Sequence, residues 1–71
     1  MYEILSPDGA VLFEINYSEW SVRKWIVERY NKVDGRWIRS SWYRRFSSLD
    51  ECRAAVDKVI KSLKIPTKTE P

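Results

Sequence analysis

The segment NKVDGRWIRSSWYRRFSSLDE, residues 31–51, contains the signals for a turn, a strand and the start of a helix. Asn31–Gly35 are predicted to form a five-residue loop that ends in Asp-Gly, a pair typical of hairpins. Arg36–Phe46 are rich in tryptophan and tyrosine, which favour strands. Ser48 is followed three residues later by Glu51, which is the capping-box pattern of a helix N-terminus. The segment therefore predicts a strand that leaves a hairpin and is followed directly by a helix.

The helix that begins at Ser48 is predicted to be amphipathic. Its apolar residues recur at helical spacing, and they are Leu49, Cys52, Val56, Val59, Ile60 and Leu63. Pro66 cannot continue a helix and disfavours the helical conformation at Ile65. The helix is therefore expected to end there, and residues 66–71 are expected to form a flexible tail.

The segment before the Asp-Gly loop, Val22–Tyr30, satisfies two templates. Its apolar residues fit one face of a helix, whereas Val22, Ile26 and Tyr30 also share one side of a strand. A helix would place Trp25 and Ile26 in the core. The loop that follows favours the strand, because two strand-like runs joined by five residues are typical of a hairpin.

Another hairpin is predicted at the start of the chain. The turn Ser6–Gly9 separates two apolar runs, and its proline, aspartate and glycine suit successive positions around a type I turn. In the second of these strands Val11, Phe13 and Ile15 fall on one side, so they are expected in the core. Residues 16–21 would then link the two hairpins.

These elements together predict an α+β fold, in which a four-stranded antiparallel sheet of two hairpins packs against one C-terminal helix. Residues 1–65 would form a single ββββα binding domain. A chain of 71 residues is close to the smallest that folds around one core without disulfides or metal. Its 44% hydrophobic and 32% charged residues are the balance of a folded protein.

The composition argues against catalysis. The chain has no histidine and one cysteine, and its two glycines, Gly9 and Gly35, are each explained by a turn. The commonest general base, thiolate zinc sites and glycine-rich phosphate loops are therefore excluded. We expect a non-enzymatic protein without cofactor or metal. Because no apolar run is long enough for a signal peptide or a membrane helix, we also expect a cytoplasmic protein. We expect it to be a monomer or a weak dimer.

Charge is distributed unevenly along the chain. Residues 1–21 contain four acidic and no basic residues, whereas residues 22–46 contain eight basic and two acidic residues. The net charge of +3 thus combines a negative start with a positive middle. Such an asymmetry predicts a polar electrostatic field, which bears on the partner and not on the fold.

Alternation along the last strand predicts which of its side chains meet a partner. The side chains expected to face the helix are Ile38, Trp42 and Phe46, and those expected on the open face are Trp37, Arg39, Ser41, Tyr43 and Arg45. If the preceding strand presents its odd-numbered residues on the same face, it adds Arg23, Trp25, Val27 and Arg29. Arginines neutralise phosphates and aromatic rings stack on bases. The candidate nucleic-acid-binding residues are Arg23, Arg29, Arg36, Trp37, Arg39, Tyr43 and Arg45.

The residues of this face are also compatible with two roles that involve no nucleic acid. Aromatic and arginine side chains that pair across strands stabilise a sheet without any ligand. The same residue types are enriched in protein–protein interfaces. With a protein partner, the chain would be a small regulator. It would dock on a larger protein, such as an enzyme of transcription or defence, through this face or through the acidic N-terminal hairpin. The positive middle of the chain favours nucleic acid over a protein partner. Of the nucleic acids, DNA is expected in preference to RNA.

Residues 24–63 resemble the arm-type DNA-binding module at the N-terminus of tyrosine integrases. The resemblance rests on Asp34-Gly35-Arg36-Trp37 within a tryptophan-bearing hairpin, and on Phe46–Cys52, which open the helix. In that family a three-stranded sheet lies in the major groove of DNA with the helix behind it. The resemblance implies that Arg39, Tyr43 and Arg45 face DNA.

Overall fold

A computed structural model of the protein describes residues 1–64. Its strands are β1 (Tyr2–Leu5), β2 (Val11–Tyr17), β3 (Trp25–Val33) and β4 (Arg36–Phe46), and helix α1 spans Leu49–Lys64. Neighbouring strands pair antiparallel in the order β1-β2-β3-β4. The predicted α+β fold, with four antiparallel strands and one C-terminal helix, is confirmed. The predicted tail, residues 66–71, lies outside the described residues.

The first turn forms as the sequence predicts. The Gly9 amide donates to the Ser6 carbonyl oxygen at 2.9 Å, and Gly9 has a φ of 75°, which favours glycine. The buried Ser6 hydroxyl donates to the Asp8 carboxylate at 2.6 Å and accepts from the Val11 amide at 3.0 Å. Side chains as well as backbone therefore close the β1–β2 hairpin.

The second turn is shorter than the sequence predicts. Asp34 and Gly35 both have positive φ, 52° and 79°, which is the conformation of a two-residue type I′ turn. The predicted five-residue loop is wrong, because Asn31–Val33 continue the pairing of β3 with β4. The two-residue turn is favoured over the longer loop because its backbone twist matches the twist of the flanking strands.

The ambiguous segment before this turn is a strand, and the helical alternative for Val22–Tyr30 is wrong. The strand begins at Trp25, which pairs with Tyr17 on β2 and with Phe46 on β4. Because β2 continues to Tyr17, the link between the hairpins is residues 18–24 and not 16–21.

Helix α1 covers one face of the sheet, here called the helix-side face, and the core lies between them. The fully buried side chains are Phe13, Ile15, Val27, Cys52 and Val56. Phe13 also meets Trp42 edge-to-face, with ring centroids 5.7 Å apart. The predicted core positions Val11, Phe13 and Ile15 on β2 are thus confirmed. The predicted apolar face of α1 is also buried at its centre, at Cys52 and Val56.

Two residues that were predicted to be apolar core lie at its margin. Ile38 is on the helix-side face but is 49% exposed, because β4 is the edge strand and only Asn31 flanks it. Leu63, in the last turn of α1, is also exposed. The core therefore ends before the tip of the β3–β4 hairpin.

The start of α1 is capped. The Ser48 hydroxyl accepts a hydrogen bond from the Glu51 amide at 3.2 Å, as the capping-box pattern predicts. The Glu51 carboxylate accepts from the Ser47 amide at 2.9 Å, one residue earlier than the pattern implies. The cap fixes where the chain leaves β4 and turns back over the sheet.

Candidate nucleic-acid interface

The sheet face away from α1, here called the open face, is defined by the pairing of β3 with β4. Trp37 lies opposite Lys32, and Arg39 lies opposite Tyr30. Beyond an irregularity in the pairing, Tyr43 lies opposite Glu28 and Arg45 opposite Ile26. Four of the candidate residues, here called the β4 row, therefore share the open face: Trp37, Arg39, Tyr43 and Arg45.

Residues of β3 do not lie where the sequence pattern placed them. Val27 is fully buried against the helix, and Arg29 pairs with the buried Phe13, so both belong to the helix-side face together with Trp25. A five-residue loop would have put Arg29 opposite Trp37, whereas the two-residue turn puts Lys32 there. Because side chains alternate along a strand, this odd change in loop length reverses both faces of β3.

Two further candidate arginines lie away from the β4 row. Arg36 pairs with Val33 beside the turn, so alternation places it on the helix-side face. Arg29 is held there by a hydrogen bond from its Nε to the Asn31 side-chain oxygen, at 3.1 Å. Neither is brought together with the β4 row on the open face.

The aromatic rings of the β4 row are accessible and each contacts a cation. Trp37 is 40% exposed and Tyr43 is 39% exposed. The Lys32 ammonium lies 5.4 Å from the centre of the Trp37 ring, and the Arg45 guanidinium lies 5.4 Å from that of Tyr43. Lys32 thus joins the surface, although the sequence pattern assigned it to a loop.

The row runs along the free edge of the sheet. The Lys32 amide donates to the Ala10 carbonyl oxygen at 2.8 Å, so the backbone of Lys32 points towards β2 and away from β4. Its partner Trp37 is therefore in a non-hydrogen-bonded pair, and its amide and carbonyl point outwards from the edge. The same alternation applies to Arg39, Tyr43 and Arg45.

Acidic side chains occupy the neighbouring part of the open face. Glu3 on β1 lies opposite Glu14 on β2, and Glu14 lies opposite Glu28 on β3. These three residues are here called the glutamate row. It runs across the strands, and the next residue in the same line is Tyr43 on β4. Glu28 forms an ion pair with Arg39, so the negative and positive parts of the face meet at that contact.

Tyr30 lies between these two parts, and its surroundings disfavour ionisation of its hydroxyl. Burial and the nearby carboxylates of Glu14 and Glu28 raise the pKa of Tyr30 above its ordinary value. The Arg39 guanidinium acts in the opposite direction. The Tyr30 hydroxyl therefore adds no charge beside the Glu28–Arg39 ion pair.

The linker adds residues at the Arg45 end of the row. The Arg45 guanidinium donates to the Ser21 hydroxyl at 2.6 Å, and Arg23 lines the same shallow pocket as Arg45 and Trp20. Arg23 is thus near Arg45, as the sequence predicts, although it belongs to the linker. Trp20, which the strand pattern did not select, is 96% exposed. Its position in a polar stretch without strand-like alternation was the available signal.

Other chemistry is weakly represented in the described part of the chain. Within residues 1–64 no three side chains of histidine, cysteine, aspartate or glutamate converge as metal ligands. Burial raises the pKa of the Cys52 thiol, which packs in the core. None of the helices formed by these residues has both the length and the apolar character to cross a bilayer. No family model, curated protein or solved structure matches the chain.

Proposed function

We propose that this protein binds nucleic acid along β4. The observation that carries the proposal is the charge of this strand, which has four arginines and no acidic residue over 11 positions. Two of these arginines, Arg39 and Arg45, alternate with accessible rings on the open face. Arginine binds phosphate oxygens through a fork of donors, and aromatic rings stack on bases.

The acidic residues of the sheet support a position at the edge. The glutamate row lies on β1, β2 and β3, and its member nearest the edge, Glu28, is paired with Arg39. A polyanion is repelled by the centre of the open face and attracted to β4, so its path follows the strand.

The test is the salt dependence of oligonucleotide binding, measured by fluorescence anisotropy at about 50 and 200 mM salt. If Arg39, Arg45, Lys32 and Arg23 each contact a phosphate, these four contacts predict a log-log slope between about −2.8 for a single strand and −3.6 for a duplex. Affinity should therefore fall by about 50- to 150-fold over this range. Absence of binding to either oligonucleotide at the lower salt concentration would contradict the proposal.

A matched pair of double variants separates the site from net charge. Arg39→Gln with Arg45→Gln removes two charges from the β4 row and should reduce the slope by about 1.4 to 1.8. Lys58→Gln with Lys61→Gln removes the same charge from exposed positions of α1 and should leave affinity nearly unchanged. Equal losses in both variants would mean that only the overall charge matters.

A protein partner is a second candidate, because the outward backbone groups of β4 offer hydrogen bonds to an added strand. The arginines of β4 would favour an acidic segment in such a partner. This candidate predicts that an extended acidic peptide binds the protein and that oligonucleotides do not compete with it.

A further inference from the structure

The β4 row repeats a ring followed by an arginine. Trp37 and Tyr43 lie opposite Lys32 and Glu28, which are four residues apart on β3. The positions of the two aromatic residues along the sheet are therefore about 13 Å apart. Arg39 lies between the rings and Arg45 lies beyond Tyr43. A base can stack on a protein ring only if one of its faces is free, and the bases inside a duplex are covered on both faces by their neighbours.

The glutamate row limits the width of a nucleic acid that fits this face. Neighbouring strands are about 4.8 Å apart, so Glu28, Glu14 and Glu3 follow at roughly 5, 10 and 14 Å from the β4 row. The major groove of a duplex is already about 12 Å wide. A duplex laid on the row would place its second strand over these carboxylates, whereas a single strand fits along the edge.

Trp20 supplies a third exposed ring at the end of this path. The Arg45–Ser21 hydrogen bond ties the linker to the row, and Trp20 lies with Arg45 around one shallow pocket. A fully exposed tryptophan has no packing role in the described chain. Its position continues the alternation of rings and cations beyond Arg45.

From this geometry we infer that the nucleic acid bound along β4 is single-stranded, with bases stacked on Trp37 and Tyr43 and the strand continuing towards Trp20. The inference rests on the proposed function and names its substrate class. The phosphates lie at Arg39 and Arg45, and stacking gives affinity without reading base identity. DNA and RNA single strands share this chemistry.

The experiment compares a labelled single-stranded DNA oligonucleotide, its duplex and the matching single-stranded RNA, by anisotropy at about 50 mM salt. We expect a single strand to bind more tightly than the duplex. The variant Trp37→Leu with Tyr43→Leu should bind the single strand about 30-fold or more weakly, because two base stacks are lost. Trp37→Phe with Tyr43→Phe keeps both rings and should retain most of the affinity.

Tyr17→Leu is the matched control, because Tyr17 is an exposed aromatic residue outside the β4 row. It should bind like the unmodified protein. A duplex that binds as tightly as the single strands, or a leucine double variant with unchanged affinity, would overturn the inference and leave the proposed function intact. If no oligonucleotide binds, the proposed function itself fails. If the leucine variant does not fold, the comparison of the single strands with the duplex still decides, because a duplex bound as tightly as a single strand overturns the inference.

Discussion

The two hairpins of this protein differ in burial and in charge. The β1–β2 hairpin buries Val11, Phe13 and Ile15 under the helix, and residues 2–17 carry three acidic and no basic residues. In the β3–β4 hairpin, residues 25–46 carry six basic and two acidic residues, and large side chains near its tip are exposed. The β1–β2 hairpin supplies most of the buried strand residues, whereas the β3–β4 hairpin contributes Val27 to the core and extends a charged aromatic edge beyond it.

This division follows from where the helix lies. Helix α1 starts at the end of β4 and runs back over the sheet, so its buried residues share one core with β2 and β3, and Trp42 and Phe46 of β4 pack at the margin of that core. The β4 strand is at the sheet edge and spans 11 residues, so most of its side chains receive no cover. The core and the exposed β4 edge can therefore be altered separately, and the following substitutions test that separation.

The largest expected effect is at Phe13, in the hairpin that supplies the core. Phe13→Ala should lower the free energy of unfolding by about 3–5 kcal/mol, because the ring is fully buried and packs against Trp42. Tyr43→Ala, in the other hairpin, should change it by no more than about 0.5 kcal/mol. Urea denaturation followed by circular dichroism measures both. Comparable losses in the free energy of unfolding would mean that Tyr43 contributes as much to stability as the buried Phe13.

A smaller effect is expected at the two turns. Gly9→Ala and Gly35→Ala each force alanine into a left-handed conformation, which costs about 1–2 kcal/mol. An added Cβ meets no atom at either position, so the cost is one of backbone conformation alone. Thermal unfolding should show a drop of several degrees for each variant. A difference between them would show which turn the fold depends on more.

The smallest effect is expected in the glutamate row. Glu14 lies between Glu3 and Glu28, and like charges directly opposite each other destabilise a sheet. Glu14→Gln should therefore raise the free energy of unfolding by about 0.2–1 kcal/mol, and added salt should reduce the gain. Glu19→Gln, in the exposed linker, serves as the control and should have no effect. A loss of stability in Glu14→Gln would indicate that the hydrogen bond between the Glu14 carboxylate and the Tyr30 hydroxyl outweighs the repulsion.

Much of the fold could be predicted because short periodic patterns determine it. Val11, Phe13 and Ile15 alternate cleanly, and the stripe through Cys52 and Val56 has helical spacing. Local chemistry was equally informative at Ser6–Gly9 and at the helix cap, where the predicted hydrogen bonds form. The faces of β4 were also correct for Trp37 and Tyr43, because the irregularity in its pairing with β3 adds an even number of residues and leaves both on the same face.

The composition of the open face was harder to predict because it depends on a loop length. Apolar residues occur on both faces of β3, with Trp25 and Val27 towards the helix and Ile26 towards the open side. Its own pattern therefore does not orient it, and the turn decides. Counting the loop as five residues instead of two reverses the strand, which is why Arg29 was selected and Lys32 was missed.

The single cysteine can serve as a chemical probe of how often the core opens. Cys52 is fully buried, and burial followed by the charge of Glu51 raises the pKa of its thiol. Thiol reagents attack the accessible thiolate, so the native state should resist modification. Each labelling event then requires the helix to separate from the sheet, and the labelling rate reports the opening equilibrium or the unfolding rate. Because the chain has no other thiol, that rate refers to one defined point at the centre of the domain.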